Sequence, residues 1–121
     1  MSEASDGAAA IVVGVPDLFF ASKISQTAKL LGADIKLVSQ ADALVDKGSA
    51  AKLVLIDLAA TSLDPLGAIA RIKEAGAARV VAFANHENGG LMEAARKAGG
   101  DEVLTRGAFA ADLPRILGAA G

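Results

Sequence analysis

Three short apolar runs divide the chain, and each is rich in valine and isoleucine. They are AIVVGV at 10–15, KLVLID at 52–57 and RVVAFA at 79–84. Apolar residues do not alternate with polar ones inside these runs, which is typical of strands buried on both faces of a parallel sheet. Two weaker runs, DIKLV at 34–38 and EVLT at 102–105, predict strands nearer the edges of the sheet.

Between the predicted strands, the apolar residues follow a helical period. From Asp17 to Leu31, an apolar stripe predicts a helix, and Gly32 follows where a left-handed C-cap is favoured. Asp64 and Pro65 predict a second helix start, with an N-cap and a proline at the first helical position. The other predicted helices lie within 39–48, 88–100 and 108–118, and the helix from Pro65 is predicted to stop at Gly76. In the last of them, Pro114 must either lie in the first turn or bend the helix.

Strand and helix therefore alternate about five times, which predicts right-handed βαβ units. The fold class is α/β, a doubly wound five-stranded parallel sheet with helices on both faces. The chain has 121 residues, enough for one domain with a core of its own. We expect residues 1–8 to form a flexible N-terminal tail and residues 9–121 to form the domain.

Composition narrows the possible functions. The chain has no cysteine and one histidine, which excludes thiolate chemistry and a histidine-rich metal site. Its formal net charge is −2 and its aromatic residues are only 3%, so neither a basic footprint nor a stacking platform for nucleic acid is present. No apolar run is long enough to cross a bilayer, and MSEASDG lacks the features of a secretion signal. We expect a cytoplasmic protein.

Sites in doubly wound sheets form beyond the carboxyl ends of the strands, near the point where the strand order reverses. An acidic side chain, Asp57, ends the central apolar run. Because a carboxylate is costly to bury, a residue in this position is usually a helix cap, a paired charge or a working group. The other residues that follow predicted strands are Gly14, Val15, Pro16, Asp17, Leu58, Ala84, Asn85, His86, Arg106 and Gly107.

The segments LVLIDL, RVVAFANH and AGGDEVLTRGAF resemble the receiver domains of two-component signalling over almost the whole domain. The resemblance implies a flavodoxin-like, CheY-like fold and places Asp57 on the phosphoacceptor. It places Ala84 on the switch threonine or serine and Arg106 on the lysine, or Thr105 if the register slips by one. The acidic pair that holds Mg²⁺ in the family matches Gly14 and Val15, which carry no carboxylate.

These differences predict that phosphotransfer is disabled. Phosphoryl transfer to a carboxylate needs a cation that neutralises the phosphoryl oxygens, and Mg²⁺ takes oxygen ligands. Asp17 is a weak candidate for a metal ligand, because its position favours a helix N-cap. We therefore expect no cofactor, with Mg²⁺ only if Asp57 is phosphorylated after all. We also expect Arg106 to pair with Asp57, the alternative being a solvated carboxylate.

Other polar residues have plainer interpretations. His86 stands without a second ligand or a nucleophile and is interpreted as a solvated loop residue. Gly89–Gly90 is interpreted as a hinge into a helix rather than a phosphate cradle, and Asp101–Glu102 as a solvated charge pair.

The leading hypothesis is a pseudo-receiver, which is not an enzyme and acts by binding another signalling protein, for example a histidine kinase or a regulator. A homodimer is a further possibility. The resemblance implies a partner face at about 91–98, 102–105 and 109–117, with Leu91, Phe109 and Leu113 as contacts; a helix staple is the alternative role of Phe109. Two alternatives remain: a single-domain response regulator phosphorylated on Asp57, and a small-ligand module such as a cobalamin domain. The segment GVPDLFFASKI lacks the histidine that such a module needs.

Overall fold

The computed structural model describes residues 10–76 and 78–118. It confirms the predicted five-stranded parallel sheet, whose strand order is β2-β1-β3-β4-β5. The strands are β1 Ile11–Gly14, β2 Ile35–Leu37, β3 Leu53–Asp57, β4 Arg79–Ala84 and β5 Glu102–Thr105. The predicted tail at 1–8 lies outside the described residues.

Helices connect the strands in the predicted order. They are α1 Leu18–Leu30, α2 Ala41–Gly48, α3 Pro65–Ala75, α4 Gly89–Ala98, α5 Arg106–Ala111 and α6 Leu113–Gly118, with a 3₁₀ turn at Thr61–Leu63 before α3. The sequence predicted a last helix within 108–118 that Pro114 either begins or bends, and the structure has two short helices with Pro114 in the first turn of the second. Pro114 explains the break, because its ring would clash with the carbonyl of Ala110 in a continuous helix and is tolerated in the first turn of α6.

Alternate residues of the central strands face two separate cores. Leu53 and Leu55 of β3 pack under α1, α5 and α6, whereas Val54 and Ile56 pack under α2, α3 and α4. Such a period of two is the geometry of an extended strand buried on both faces. The strand order reverses between β1 and β3, so the carboxyl ends of these two strands open the crevice where a site is expected.

Asp64 occupies the predicted cap position but does not act as predicted. Its backbone is left-handed, with φ of 46° and ψ of 61°, and its side chain makes no capping hydrogen bond. The carbonyl of Asp64 instead accepts the N–H of Ala68 at 2.8 Å. The carboxylate lies over Gly67, where a Cβ would collide with it. Aspartate tolerates left-handed backbone better than most residues, so this position favours Asp for its backbone.

Among the described residues, no helix combines the length and the apolar character that crossing a membrane requires.

Candidate functional site

Asp57 lies at the carboxyl end of β3, in the crevice beside β1. It is 5% exposed and is the one buried charged or polar residue in the described part of the chain. Its Oδ1 accepts the backbone N–H of Ala59 at 3.0 Å, and its carbonyl accepts the N–H of Ala60 at 3.1 Å. One carboxylate oxygen, Oδ1, therefore has a local backbone donor, whereas the other, Oδ2, faces the crevice.

Arg106, the first residue of α5, reaches into this crevice. Its Nη2 lies 3.6 Å from Asp57 Oδ2, and its Nη1 lies 3.7 Å from Asp17 Oδ2. The expected pairing of Arg106 with Asp57 is therefore present, but as an ion pair longer than a hydrogen bond and not as a bidentate contact. One guanidinium instead spans two carboxylates, since its two nitrogens face different acidic residues.

Asp17 has the N-cap role that its position predicts. Its Oδ1 accepts the backbone N–H groups of Phe19 at 2.9 Å and Phe20 at 3.2 Å, which fixes the first turn of α1. Its Oδ2 faces Arg106, so both oxygens have partners. No group of three or more His, Cys, Asp or Glu side chains in the described residues lies close enough to hold a metal ion. The positions of the acidic pair, Gly14 and Val15, offer no side-chain oxygen for the Mg²⁺ that the resemblance implies.

Aromatic rings form the floor under Arg106. The guanidinium carbon lies 4.8 Å from the centroid of the Phe20 ring and 5.5 Å from that of Phe83, distances typical of cation–π contacts. Phe83 stacks on Phe109 with centroids 4.4 Å apart. Sequence reasoning missed this cluster, although three of the four phenylalanines of the chain belong to it. Their wide separation along the chain concealed it.

The structure overturns two of the predicted surface contacts. Phe109 and Leu113 are both 0% exposed and belong to the core under α1 and α5, so neither side chain can anchor a partner. The periodicity of 108–118 indicated apolar faces but could not show which of them meets the sheet. Leu91 is partly buried and packs against the other core, under α4.

None of the remaining positions named by the resemblance offers a free polar group to the crevice. Ala84 is 2% exposed at the end of β4 and offers only a methyl group. Thr105 uses its hydroxyl to accept the N–H of Ala108 at 3.2 Å, so Arg106 is the residue that reaches Asp57. Val15 is 4% exposed in the core. A Cβ added at Gly14 would lie 3.2 Å from the side chains of Leu44 and Leu63, so both leucines would have to shift by a few tenths of an ångström.

Asp101 and Glu102 are not the simple solvated pair that the sequence suggested. Asp101 Oδ2 accepts from Lys73 Nζ and from the N–H of Val80, both at 2.8 Å. Desolvation raises the pKa of Asp101, but these hydrogen bonds and the charge of Lys73 outweigh it, so the pKa is lowered. The hydrogen bond from Arg115 is the main cause that lowers the pKa of Glu102.

The loop after β4 forms no such network. His86 is exposed, as expected of a loop residue without a partner ligand. Gly89 and Gly90 start α4 facing open space, where a Cβ added to either glycine would meet no atom within 4 Å, so nothing there shapes a phosphate cradle.

No protein-family model and no curated protein matches this chain. Its fold nevertheless matches solved structures of receiver domains. One is the receiver domain of NtrX from Brucella abortus, with a TM-score of 0.78 and 20% identity over 91% of this chain and 96% of that one. Another is the signal receiver domain of the putative response regulator NarL from Mycobacterium tuberculosis, with a TM-score of 0.77 and 17% identity over 93% and 95%.

A third similar structure is the receiver domain of a sensor histidine kinase from Pseudomonas aeruginosa. It gives a TM-score of 0.74 and 21% identity over 88% of this chain and 92% of that one, and it holds a magnesium ion coordinated in the active-site cleft. At these identities the likeness establishes the fold and leaves the chemistry to the residues of the crevice. The chain has the receiver-domain fold of two-component response regulators.

Proposed function

We propose that this protein is a pseudo-receiver: a cytoplasmic, non-enzymatic domain that acts by binding another signalling protein and does not transfer phosphoryl groups. The single observation that carries the proposal is the position of Arg106, whose guanidinium contacts Asp57 and Asp17 together. The expected partner is a histidine kinase or another regulator, rather than nucleic acid or a membrane.

The chemistry of the crevice supports this proposal. A phosphoryl group on Asp57 would bring further negative charge beside Asp17. In phosphoryl transfer a metal cation neutralises this charge, and the protein must supply oxygen atoms to hold the metal. Neither a carboxylate nor a hydroxyl oxygen is available at Gly14, Val15 or Ala84. Arg106 supplies a permanent positive charge in the same crevice, because an arginine side chain stays protonated in proteins. The built-in cation balances Asp57 without a metal ion.

The packing of Arg106 also supports a fixed state. Its guanidinium lies on Phe20 and Phe83, and its side chain is 36% exposed, so most of it is held by neighbours. A planar guanidinium can stack on rings and meet carboxylates at once, which the ammonium group of lysine cannot do equally well. We infer that Arg106 keeps the crevice in one arrangement and that the domain serves as a constant binding surface.

The test is an amide NMR titration, first with Mg²⁺ and then with Mg²⁺ and beryllofluoride, a mimic of an aspartyl phosphate. We expect the spectrum to stay unchanged at millimolar concentrations of both, apart from weak shifts at exposed carboxylates. Saturable shifts centred on Asp57 that spread to Arg106 and α5 would overturn the proposal and favour the phosphorylatable regulator. D57N serves as the control, since it removes the acceptor oxygen and must abolish any specific response.

A further inference from the structure

β2 is an edge strand whose outer side is open. The strand order places β2 beside β1 alone, so one side of Ile35–Leu37 has no neighbouring strand in the described sheet. Lys36 is exposed and Leu37 is 50% exposed, so no described helix lies across this edge. An open edge presents backbone N–H and C=O groups that can pair with another strand.

The pairing of β2 with β1 shows which backbone groups point outward. In a strand, the N–H and C=O groups of one residue point to the same side, and successive residues alternate sides. Val38 donates its N–H to the carbonyl of Val13 at 3.0 Å, so Val38 and, two residues earlier, Lys36 point toward β1. Ile35 and Leu37 therefore direct their N–H and C=O groups away from β1, where a second strand could bond them.

Charge favours one particular second strand, which is β2 of another copy of this chain. Asp34 and Lys36 flank Ile35, and their side chains share the face opposite to that of Ile35. When two copies pair antiparallel about Ile35, each Asp34 lies opposite Lys36 of the second copy. Opposite charges in directly opposed pairs stabilise an antiparallel ladder. Centring the pair on Lys36 would instead place two lysines opposite each other, so charge also selects the register.

The hydrogen-bond pattern brings these charges close together. With Ile35 opposite Ile35 of the second copy, the two residues can exchange both N–H···O bonds, because their backbone groups point outward. The neighbouring pair of Asp34 and Lys36 is then of the non-hydrogen-bonded kind, in which side chains lie closest and the Cα atoms are about 4.5 Å apart. A lone lysine on an edge discourages pairing, but the aspartate two residues away makes this edge self-complementary.

Exposed leucines lie on the other face of the same edge. Leu37 shares a face with Ile35, which packs against the core under α1. In the antiparallel pair, Leu37 lies opposite Ala33 of the second copy, which follows by two residues Leu31, the 48% exposed C-cap of α1. Contact among these residues would remove apolar surface from water on both sides of the two-fold axis.

We propose that the outer edge of β2 is a self-association surface, at which two copies pair antiparallel about Ile35 and join their sheets into one of ten strands. The inference goes beyond the proposed function, because none of these residues contacts Asp57 or Arg106. The contact is isologous, so it closes as a dimer and does not extend into a fibre. The paired strand has three residues, so we expect a small interface and a dimer that dissociates readily.

Sedimentation equilibrium from micromolar to millimolar protein measures this association. We expect the wild type to approach twice the monomer mass at the upper end, with concentration-dependent amide NMR shifts at residues 33–37. D34K and K36D each create two like-charge pairs and should weaken association about tenfold or more. The double variant D34K/K36D restores opposite charges at both pairs, so its association should lie within about threefold of that of the wild type.

Mixing the two single variants tests the register directly. D34K has two lysines on the edge and K36D has two aspartates, so the antiparallel register brings opposite charges together only in the mixed dimer. We expect an equimolar mixture to associate about as strongly as the wild type, although each variant alone associates weakly. F19S, at an exposed ring that lines the groove between α1 and α5, and K97E, at an exposed lysine of α4, are controls. Each should alter association less than about twofold.

A chain that stays monomeric at millimolar concentration would overturn the proposal, as would single charge reversals that leave association unchanged. Failure of D34K/K36D or of the mixture to associate would contradict the antiparallel register about Ile35. Weakening by F19S or K97E in place of the β2 variants would move the contact to α1 or α4 and would also contradict the proposal. The Mg²⁺ and beryllofluoride titration reads Asp57 and not β2, so the two proposals fail separately.

Discussion

Arg106 Nη2 and Asp57 Oδ2 lie 3.6 Å apart, and the same guanidinium rests on the ring of Phe20. One side chain thus contacts both Asp57 and the aromatic floor. Removing Arg106 would leave Asp57, which is 5% exposed, without its cation.

We expect R106M to lower the free energy of unfolding by about 1–2 kcal/mol, because it leaves a largely buried carboxylate uncompensated. The partial exposure of Arg106 keeps the figure below that of a fully buried pair. Urea denaturation followed by circular dichroism measures the change. R71A, at an exposed arginine of α3, is the control and should change stability by less than about 0.5 kcal/mol. Equal stabilities of R106M and wild type would contradict the role of Arg106.

D57N should have opposite effects in the two backgrounds. In the wild type it removes one partner of Arg106 and should reduce stability slightly. In R106M it removes an unpaired charge and should restore stability, so a double-mutant cycle should give a coupling energy of about 1 kcal/mol. Additive effects in the cycle would mean that the two side chains do not interact.

We expect F109A to reduce stability by about 3–5 kcal/mol, because it leaves a cavity beside Phe83 and Phe20. F19A removes the same ring from a position that is 90% exposed and should cost less than about 0.5 kcal/mol. Thermal or urea unfolding of both variants compares a core aromatic with a surface one. A mild effect of F109A would contradict the burial of Phe109.

The lowered pKa of Asp101 predicts acid sensitivity. A carboxyl group whose pKa is lower in the folded than in the unfolded state stabilises the protein above its ordinary pKa, and this stabilisation is lost as the pH falls through the folded-state value. The contribution should be complete above about pH 5 and should decline below about pH 4. The urea midpoint can be measured at intervals from about pH 5 down to about pH 2.5. As the pH falls, the midpoint should decline less steeply in D101N than in the wild type. Parallel pH profiles would show that the contacts of Asp101 with Lys73 and Val80 do not stabilise the folded state.

Much of the fold followed from local patterns. The valine-rich runs at 10–15, 52–57 and 79–84 predicted the central strands, because a strand buried on both faces needs a continuous apolar run. The same order of elements placed Asp57, Asp17 and Arg106 at one edge of the sheet. The residues that line the crevice could therefore be predicted, since parallel strands end on the same side of the sheet.

Other features depend on tertiary packing that a local pattern does not encode. An apolar residue such as Phe109 suits both a surface anchor and a core position. Only the packing of Phe109 against Phe83 shows that it is a core residue. To predict the break between α5 and α6, one must know where the helix starts relative to Pro114. The double contact of Arg106 was also not predicted, because an N-cap role for Asp17 gives no indication that its second carboxylate oxygen faces α5.

Gly14 limits what a single substitution can do to the crevice. A Cβ at this position would lie 3.2 Å from the side chains of Leu44 and Leu63, two fully buried residues, so both would have to shift by a few tenths of an ångström. A carboxylate placed at the end of β1 would therefore meet packed leucines on one side and the guanidinium beside Asp57 on the other. We expect that engineering a metal site into this crevice needs compensating changes at Leu44, Leu63 and Arg106 together.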